Sequence, residues 1–337
     1  MNQIKCCVCF VLVLALPTSV WAGVIPEEFQ GRLLETASLK SPSQAFPLDP
    51  KLRPAVAFWQ EVFVTYKSTS LILHDKEYMD VVWGVYKIPA DDGTKAVRKR
   101  ISDRTDAIIE AFQEGLKSLS RGNAPKNQWE KSLVATLGHR KKILLGAHKR
   151  VRAQRGVADH FDAGKKRAKP WLAKIKKTLK DKGLPQEIAL MTFVESMFNT
   201  KARSSAGAAG VWQLMPRTAR ELGLKVGRRL DERMDVLKST RAAAKLLKRN
   251  YRLLKSWPLA VTGYNHGAYG VKRAVKKVGS RDLVDLIENY DKHSWGFASK
   301  NFYAELIAMI RIFAGLGPTS AMAYPGKGQE MRHEVVS

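Results

Sequence analysis

Cysteine is almost missing from this chain of 337 residues. There are three, Cys6, Cys7 and Cys9, all at the very start. Beyond them the sequence offers no disulfide, no thiolate metal ligand and no cysteine nucleophile. Acidic residues are scarce too: 31 Asp and Glu stand against 58 Lys and Arg, a formal charge of +27. A field of that sign favours polyanions such as nucleic acid, an anionic lipid surface or an acidic wall polymer. Composition alone does not choose among them, and most such charges simply form a solvated, self-repelling surface. After Ala22 no stretch reaches the ~20 apolar residues that a membrane-spanning helix needs. Internal repeats and low-complexity tracts are absent as well. What remains is a chain 45% hydrophobic, ample for a core, and long enough for two structural units.

The N-terminus narrows these options. Met1 to Lys5 carry one positive charge, Cys6 to Leu16 are apolar, and Val20-Trp21-Ala22 places compact residues where a peptidase would cut. This is the pattern of a secretory signal peptide cleaved after Ala22; a buried helix or an uncleaved anchor is the alternative. All three cysteines would leave with it, and none stands after the apolar run, where a lipid-modified cysteine would lie. The expectation is an exported chain, in the periplasm or cell envelope and soluble after processing. Export argues against nucleic acid as the main partner.

Prolines 26, 42, 47 and 50 punctuate an irregular segment over 23–50. Val56, Trp59, Val62 and Phe63 predict a helix from Ala55 to Tyr66. Thr69–Leu73 and Val81–Ile88 are β-rich and predict a hairpin or a small sheet. Lys95 to Ser118 reads as an amphipathic helix with Ile101, Ile108, Ile109 and Phe112 on one face. A further helical stretch is expected from Trp129 to Arg155. Residues 138–182 are densely basic, either a patch for an anionic wall or membrane surface or a run of solvated helix faces. From 183 to 318 the pattern is almost wholly helical: Gln186–Phe198, Pro216–Leu222, Lys238–Lys255, Pro258–Tyr264 and Phe302–Phe313, with a small-residue loop at Ser204–Gly210.

Glu195 stands at the end of the first of these helices, on the same apolar face as Ile188 and Met191. A carboxyl there is partly desolvated, and the negative end of the helix dipole acts in the same direction, so its pKa should rise. A protonated acid near neutral pH is what general acid catalysis requires. Spacing alone equally allows a structural Glu paired with one of the many cations. No other acid occurs before Glu221. Ordinary glycosidases place two carboxylates across the scissile bond, whereas this segment supplies one, although a distant carboxylate could fold in.

Here the residues form a familiar string. Glu195-Ser196-Met197-Phe198-Asn199, Ala202, Ser204, Gly207-Ala208, Gly210-Val211-Trp212-Gln213-Leu214-Met215-Pro216 and Thr218-Ala219 resemble the family of soluble-type lytic transglycosylase domains (SLT). Trp257 to Gly267, with Tyr264-Asn265, resembles that family's Tyr-Asn motif. The run from Arg150-Val151-Arg152 through Gly183-Leu184-Pro185 is similar to the approach to this domain in membrane-bound lytic murein transglycosylases of the D type. The specific likeness covers roughly 150–316; Ala57-Phe58-Trp59 and His74-Asp75 match only loosely.

The resemblance implies a mainly α, lysozyme-like catalytic domain with a glycan cleft, preceded by a mostly helical accessory region. The segments would be a signal peptide (1–22), an accessory region (23–150), the catalytic domain (151–318) and a tail (319–337). It implies cleavage of the bond between N-acetylmuramic acid and N-acetylglucosamine in peptidoglycan. Glu195 would be the single acid/base, and the product a 1,6-anhydromuramic end. Ser196, Gln213, Met215, Tyr264, Asn265 and Tyr303 would bind substrate, and Gly207 and Gly210 would shape the loop. No metal or cofactor is implied. The partners would be peptidoglycan strands and an anionic envelope surface.

One motif departs from the family: where an acid and then a Tyr are expected, the chain has Ala298 and Phe302, with Tyr303 one step on, about 100° around a helix. Competing readings are a lysozyme-type hydrolase, with water as nucleophile, and a non-catalytic wall-binding protein that kept the cleft. A basic nucleic-acid binder is more distant, since no stacking aromatic pattern accompanies the charge.

Overall fold

The computed structural model describes residues 32–33 and 41–317; the expected signal segment and the 319–337 tail lie outside them. A short strand β1 (Arg32–Leu33) comes first. Helix α1 (Arg53–Val64) begins with Pro54 in its first turn and is buried from Val56 to Phe63, as its apolar circumference requires. The two β-rich runs form strands β2 (Ser70–Asp75) and β3 (Val81–Lys87), paired antiparallel. Helix α2 (Lys95–Ser120) follows, with the Thr94 hydroxyl accepting from the Val97 amide, and then α3 (Gln128–Leu137).

The helix expected up to Arg155 stops at α3. Gly138 (φ 49°) and Gly146 (φ 71°) take left-handed conformations that interrupt it, with short 3-10 turns between. The chain then runs as strand β4 (Val151–Arg155) along β2, from Leu71↔Arg155 to Asp75↔Val151. The expected hairpin is therefore part of an antiparallel sheet ordered β1-β3-β2-β4. Alternation sends Leu71, Leu73, Val81 and Trp83 into a smaller core with Ile108, Phe112 and Trp129. Ile72 and Val82 face the opposite way, into a larger core with Phe58 and Val62.

The rest is helical, making the chain mainly α: α4 (Ala158–Ala168), α5 (Leu172–Asp181), α6 (Met191–Ser196), α7 (Pro216–Glu221), α8 (Val236–Leu254), α9 (Trp257–His266), α10 (Ala268–Val278), α11 (Leu283–Asn289) and α12 (Phe297–Phe313). The stretch expected as one helix over 186–198 is a 3-10 turn, Gln186–Leu190, leading into the short α6. Helix α12 begins earlier than its apolar pattern suggests and is buried along most of its length, packing on α1, α6 and α9. Trp59 Nε1 donates to Asn301 Oδ1 at 3.0 Å, a buried link from α1 to α12.

Part of the basic run is consumed by the fold. Arg150 Nε pairs with the fully buried Asp75 at 2.8 Å, and its other nitrogens donate to the carbonyls of Leu145 and Ile143. Arg140 pairs with Asp80, and Arg155 donates to the Ser68 carbonyl. The lysines of α5 remain largely at the surface. Removing one partner of a buried pair strands the other charge. Arg150→Met should therefore cost about 3–5 kcal/mol in denaturant unfolding, and the double change with Asp75→Asn should recover part of that loss.

Candidate active site

The site is built on a tight turn. Helix α6 ends because Met197 (φ 46°) and Phe198 (φ 53°) both adopt left-handed backbone, which costs a residue with a Cβ about 1–2 kcal/mol. Three contacts hold the turn. Arg167, from α4, donates to the Phe198 carbonyl at 3.1 Å and to the Met197 carbonyl at 2.7 Å. Gly164 lets α4 come close, since a Cβ there would meet the Met197 carbonyl oxygen at 2.5 Å. The Phe198 ring is buried against Phe193, centroids 5.7 Å apart.

This turn sets the end of α6, where Glu195 stands. The residue keeps a partial opening to solvent, yet protein encloses its carboxyl, and burial pushes its pKa from 4.5 up to about 8. The second cause is the carboxyl of Glu305 on α12. Glu305 is itself held well above the ordinary carboxylate range by burial. Its position had a signal in the sequence: it is the one acid in the mostly apolar helical stretch Phe302–Phe313, whose only other charged residue is Arg311.

Ser196 is occupied by the backbone. Its hydroxyl lies 3.1 Å from the Thr192 carbonyl and 3.2 Å from the Val211 carbonyl, and accepts from the Asn199 amide at 3.2 Å. It thereby ties α6 to the following loop. That loop is folded by bridges of Ala209 with Arg203 and Leu214. Gly210 (φ 77°) passes so close to the Arg233 carbonyl that a Cβ would collide with it. Arg233, buried and paired with Asp231 at 2.8 Å, donates to the carbonyls of Gly207 and Leu214.

At the end of the loop Gln213 is also left-handed (φ 43°), with Nε2 donating to the Gly210 carbonyl at 2.9 Å. Trp212 is core, its Nε1 donating to Thr240 Oγ1 at 2.9 Å. The Trp212 carbonyl accepts from the Tyr264 hydroxyl at 2.7 Å. Burial, and then the charge of Glu195, hold that phenol well above its ordinary pKa. Tyr264 thus lies within electrostatic reach of the carboxyl. It also lines an open groove of about 640 Å³, with Gln213 and Met215, the latter 43% exposed. Glu195 itself is not in the lining of that groove. Asn265 is exposed next to Tyr264 at the end of α9.

Tyr303 must be corrected. It is buried, and its hydroxyl donates to the Pro47 carbonyl at 2.8 Å, facing the N-terminal segment. Phe302 takes the place beside the site, its ring parallel to that of Tyr264 with centroids 6.4 Å apart. The helix does not rotate to bring Tyr303 in, because the Trp59–Asn301 and Tyr303–Pro47 bonds fix its register.

Residues 173–286 match the family model described as the transglycosylase SLT domain. Over 111 residues the chain is 40% identical to the membrane-bound lytic murein transglycosylase D of Escherichia coli strain K12, covering 33% of this chain and 25% of that one. It is 34% identical over 116 residues to a putative tributyltin chloride resistance protein of Alteromonas sp. strain M-1, covering 34% of this chain and 56% of that one. The chain thus spans a quarter of the first relative's length. Among solved structures, the 70 kDa soluble lytic transglycosylase of Escherichia coli is 17% identical with a TM-score of 0.36, over 66% of this chain and 45% of that one.

Replacing Glu305 by Gln removes a negative neighbour and leaves the burial in place. The pKa of Glu195 should move down but stay above 4.5, because burial is the larger cause. A carboxyl-carbon NMR titration of the two proteins measures this.

Proposed function

We propose, from the transglycosylase SLT domain that residues 173–286 carry, that this chain is a lytic transglycosylase of peptidoglycan glycan strands. The observation that carries the reading is the carboxyl of Glu195, kept protonated at neutral pH by burial and within electrostatic reach of Tyr264, which lines the groove. In a lysozyme-like cleft, Glu195 would give its proton to the oxygen linking N-acetylmuramic acid to N-acetylglucosamine. The resulting carboxylate would take the proton of the muramic 6-hydroxyl, whose oxygen closes on the anomeric carbon. One bond breaks and one forms within the strand, so a 1,6-anhydro end results without net hydrolysis.

Glu305 does not change the number of acid/base groups in this scheme. Burial holds its pKa well above the ordinary carboxylate range, so near neutrality it offers no ionised nucleophile. Gln213, Met215, Tyr264 and Asn265 would bind sugar, and Ser196 would hold the Glu195 turn in register. The site is proposed to work in the cell envelope, after the N-terminal segment has directed export. Among the described residues no helix is long and apolar enough to cross a membrane. Basic surfaces outside the groove would keep the protein near the acidic wall.

Two carboxyls in one site also suit a hydrolase, so the product decides. Muropeptides released from purified sacculi should carry anhydro ends by mass spectrometry, and Glu195→Gln should release them at least about 10²-fold more slowly. Reducing, hydrated ends would establish the hydrolase, with Glu305 as second carboxyl; no release by folded protein would favour a wall-binding role.

The pH dependence has a definite sign. The acid form of Glu195 is complete well below pH 8 and is lost as pH rises through about 8. The rate should be level near neutrality and fall about tenfold per pH unit once pH exceeds about 8. The unfolded carboxyl titrates at its ordinary value, so Glu195 makes folding progressively less favourable between pH 4.5 and 8. Thermal unfolding of Glu195→Gln should show a weaker loss of stability over that interval.

A further inference from the structure

We propose that the groove next to Tyr264 and Gln213 binds the carboxylates of an acidic peptide carried on the glycan strand. The inference rests on the transglycosylase reading and adds the substrate feature that the same cleft would select. Arg249 and Arg252, from the last turns of α8, and Arg273, from α10, line this groove. No Asp or Glu is in the lining. All three arginines are exposed, and none forms an ion pair with a described residue.

Their situation contrasts with that of Arg150, Arg167 and Arg233, whose guanidinium nitrogens are spent on carboxylates or carbonyls inside the protein. The local field is felt by His266 in the same lining. Burial first, and then Arg273 and Lys292, hold its pKa below the ordinary value.

A neutral glycan gives three unpaired guanidiniums nothing ionic to bind. Peptide stems do, through free carboxylates. A guanidinium meets a carboxylate with two parallel N–H donors, a geometry that an ammonium group lacks. The floor, with Leu246, Leu253 and Ala268, is apolar, and Tyr269 stands 68% exposed at the rim, suited to the aliphatic parts of a short peptide. A volume of about 640 Å³ lies in the range of small-ligand clefts. Tyr264 lines the groove and feels the charge of Glu195. A stem held there would fix the strand relative to the acid.

The test is a calorimetric titration of the full chain with a disaccharide–tetrapeptide, native or with its carboxyls converted to methylamides. The native form should bind at least about tenfold more tightly, the scale of charge-assisted hydrogen bonds. Arg249→Gln, Arg252→Gln and Arg273→Gln, singly and together, should progressively erase that difference. Equal binding of the two forms, no binding of the native form at millimolar concentration, or a preference that survives the combined change would each overturn the proposal. So would equally tight binding of a uronic acid disaccharide, which would assign the arginines to acidic sugars. If the combined variant does not fold, the native-versus-amide comparison on the unaltered protein decides alone. Binding is read without catalysis, so a chain that prefers the native ligand but forms no anhydro ends would sink only the transglycosylase reading. One that forms anhydro ends without that preference would sink only this one.

Discussion

A carboxyl remains protonated at neutral pH only where protein replaces the water that would stabilise its charge. In this fold that burden falls on the place where α6, α9 and α12 meet. Glu195 comes from the first helix, Tyr264 from the second and Glu305 from the third. None of the three supplies a cation to Glu195, and the one charged neighbour that shifts its pKa is another acid. In a chain with a surplus of 27 positive charges, keeping every lysine and arginine from this carboxyl is a specific property of the packing. The left-handed turn at Met197–Phe198 is part of the same constraint, since it ends α6 immediately after Glu195 and directs the chain away. Strained backbone persists only where surroundings over-determine it, and the guanidinium of Arg167 with the buried ring of Phe198 provides that determination.

Arginine thus does two kinds of work here. Arg150, Arg167 and Arg233 act inside the fold, each bringing several backbone carbonyls or a carboxylate to one planar group. Arg233 alone joins Asp231 to the loop that presents Gln213. Around the groove, the guanidiniums of Arg249, Arg252 and Arg273 face solvent with no acid in the lining. A uniform reading of the positive charge, as either solvated surface or binding patch, misses this division, because it follows the direction in which each side chain leaves its helix.

The N-terminal elements take part in shaping α12. The Trp59–Asn301 bond and the Tyr303–Pro47 bond tie α12 to the upstream segment, and α1 packs along the same helix. A phenylalanine stacked parallel to Tyr264 adds apolar enclosure without a competing hydroxyl.

Much was legible in the sequence. The buried character of residues 188–198, the loop glycines, the amphipathic helices and the position of Glu195 follow from local rules of periodicity, turn chemistry and solvation, which act over a few residues. Local rules failed where distant strands or helices supplied the partner. Val151–Arg155 has no strong strand pattern and becomes β4 because β2 offers its edge after two glycines break the helix. Tyr303 seemed to restore a missing site tyrosine, yet its hydroxyl is satisfied by Pro47, more than 250 positions earlier in the chain. Glu305 was visible only as the one acid of a mostly apolar helix. The sequence by itself determined that a carboxyl would stand at the end of a buried helix beside a glycine-shaped loop. Only the tertiary structure decided that a second carboxyl, not a cation, would be its neighbour, because side chains so far apart along the chain meet through helix packing and not through any local preference.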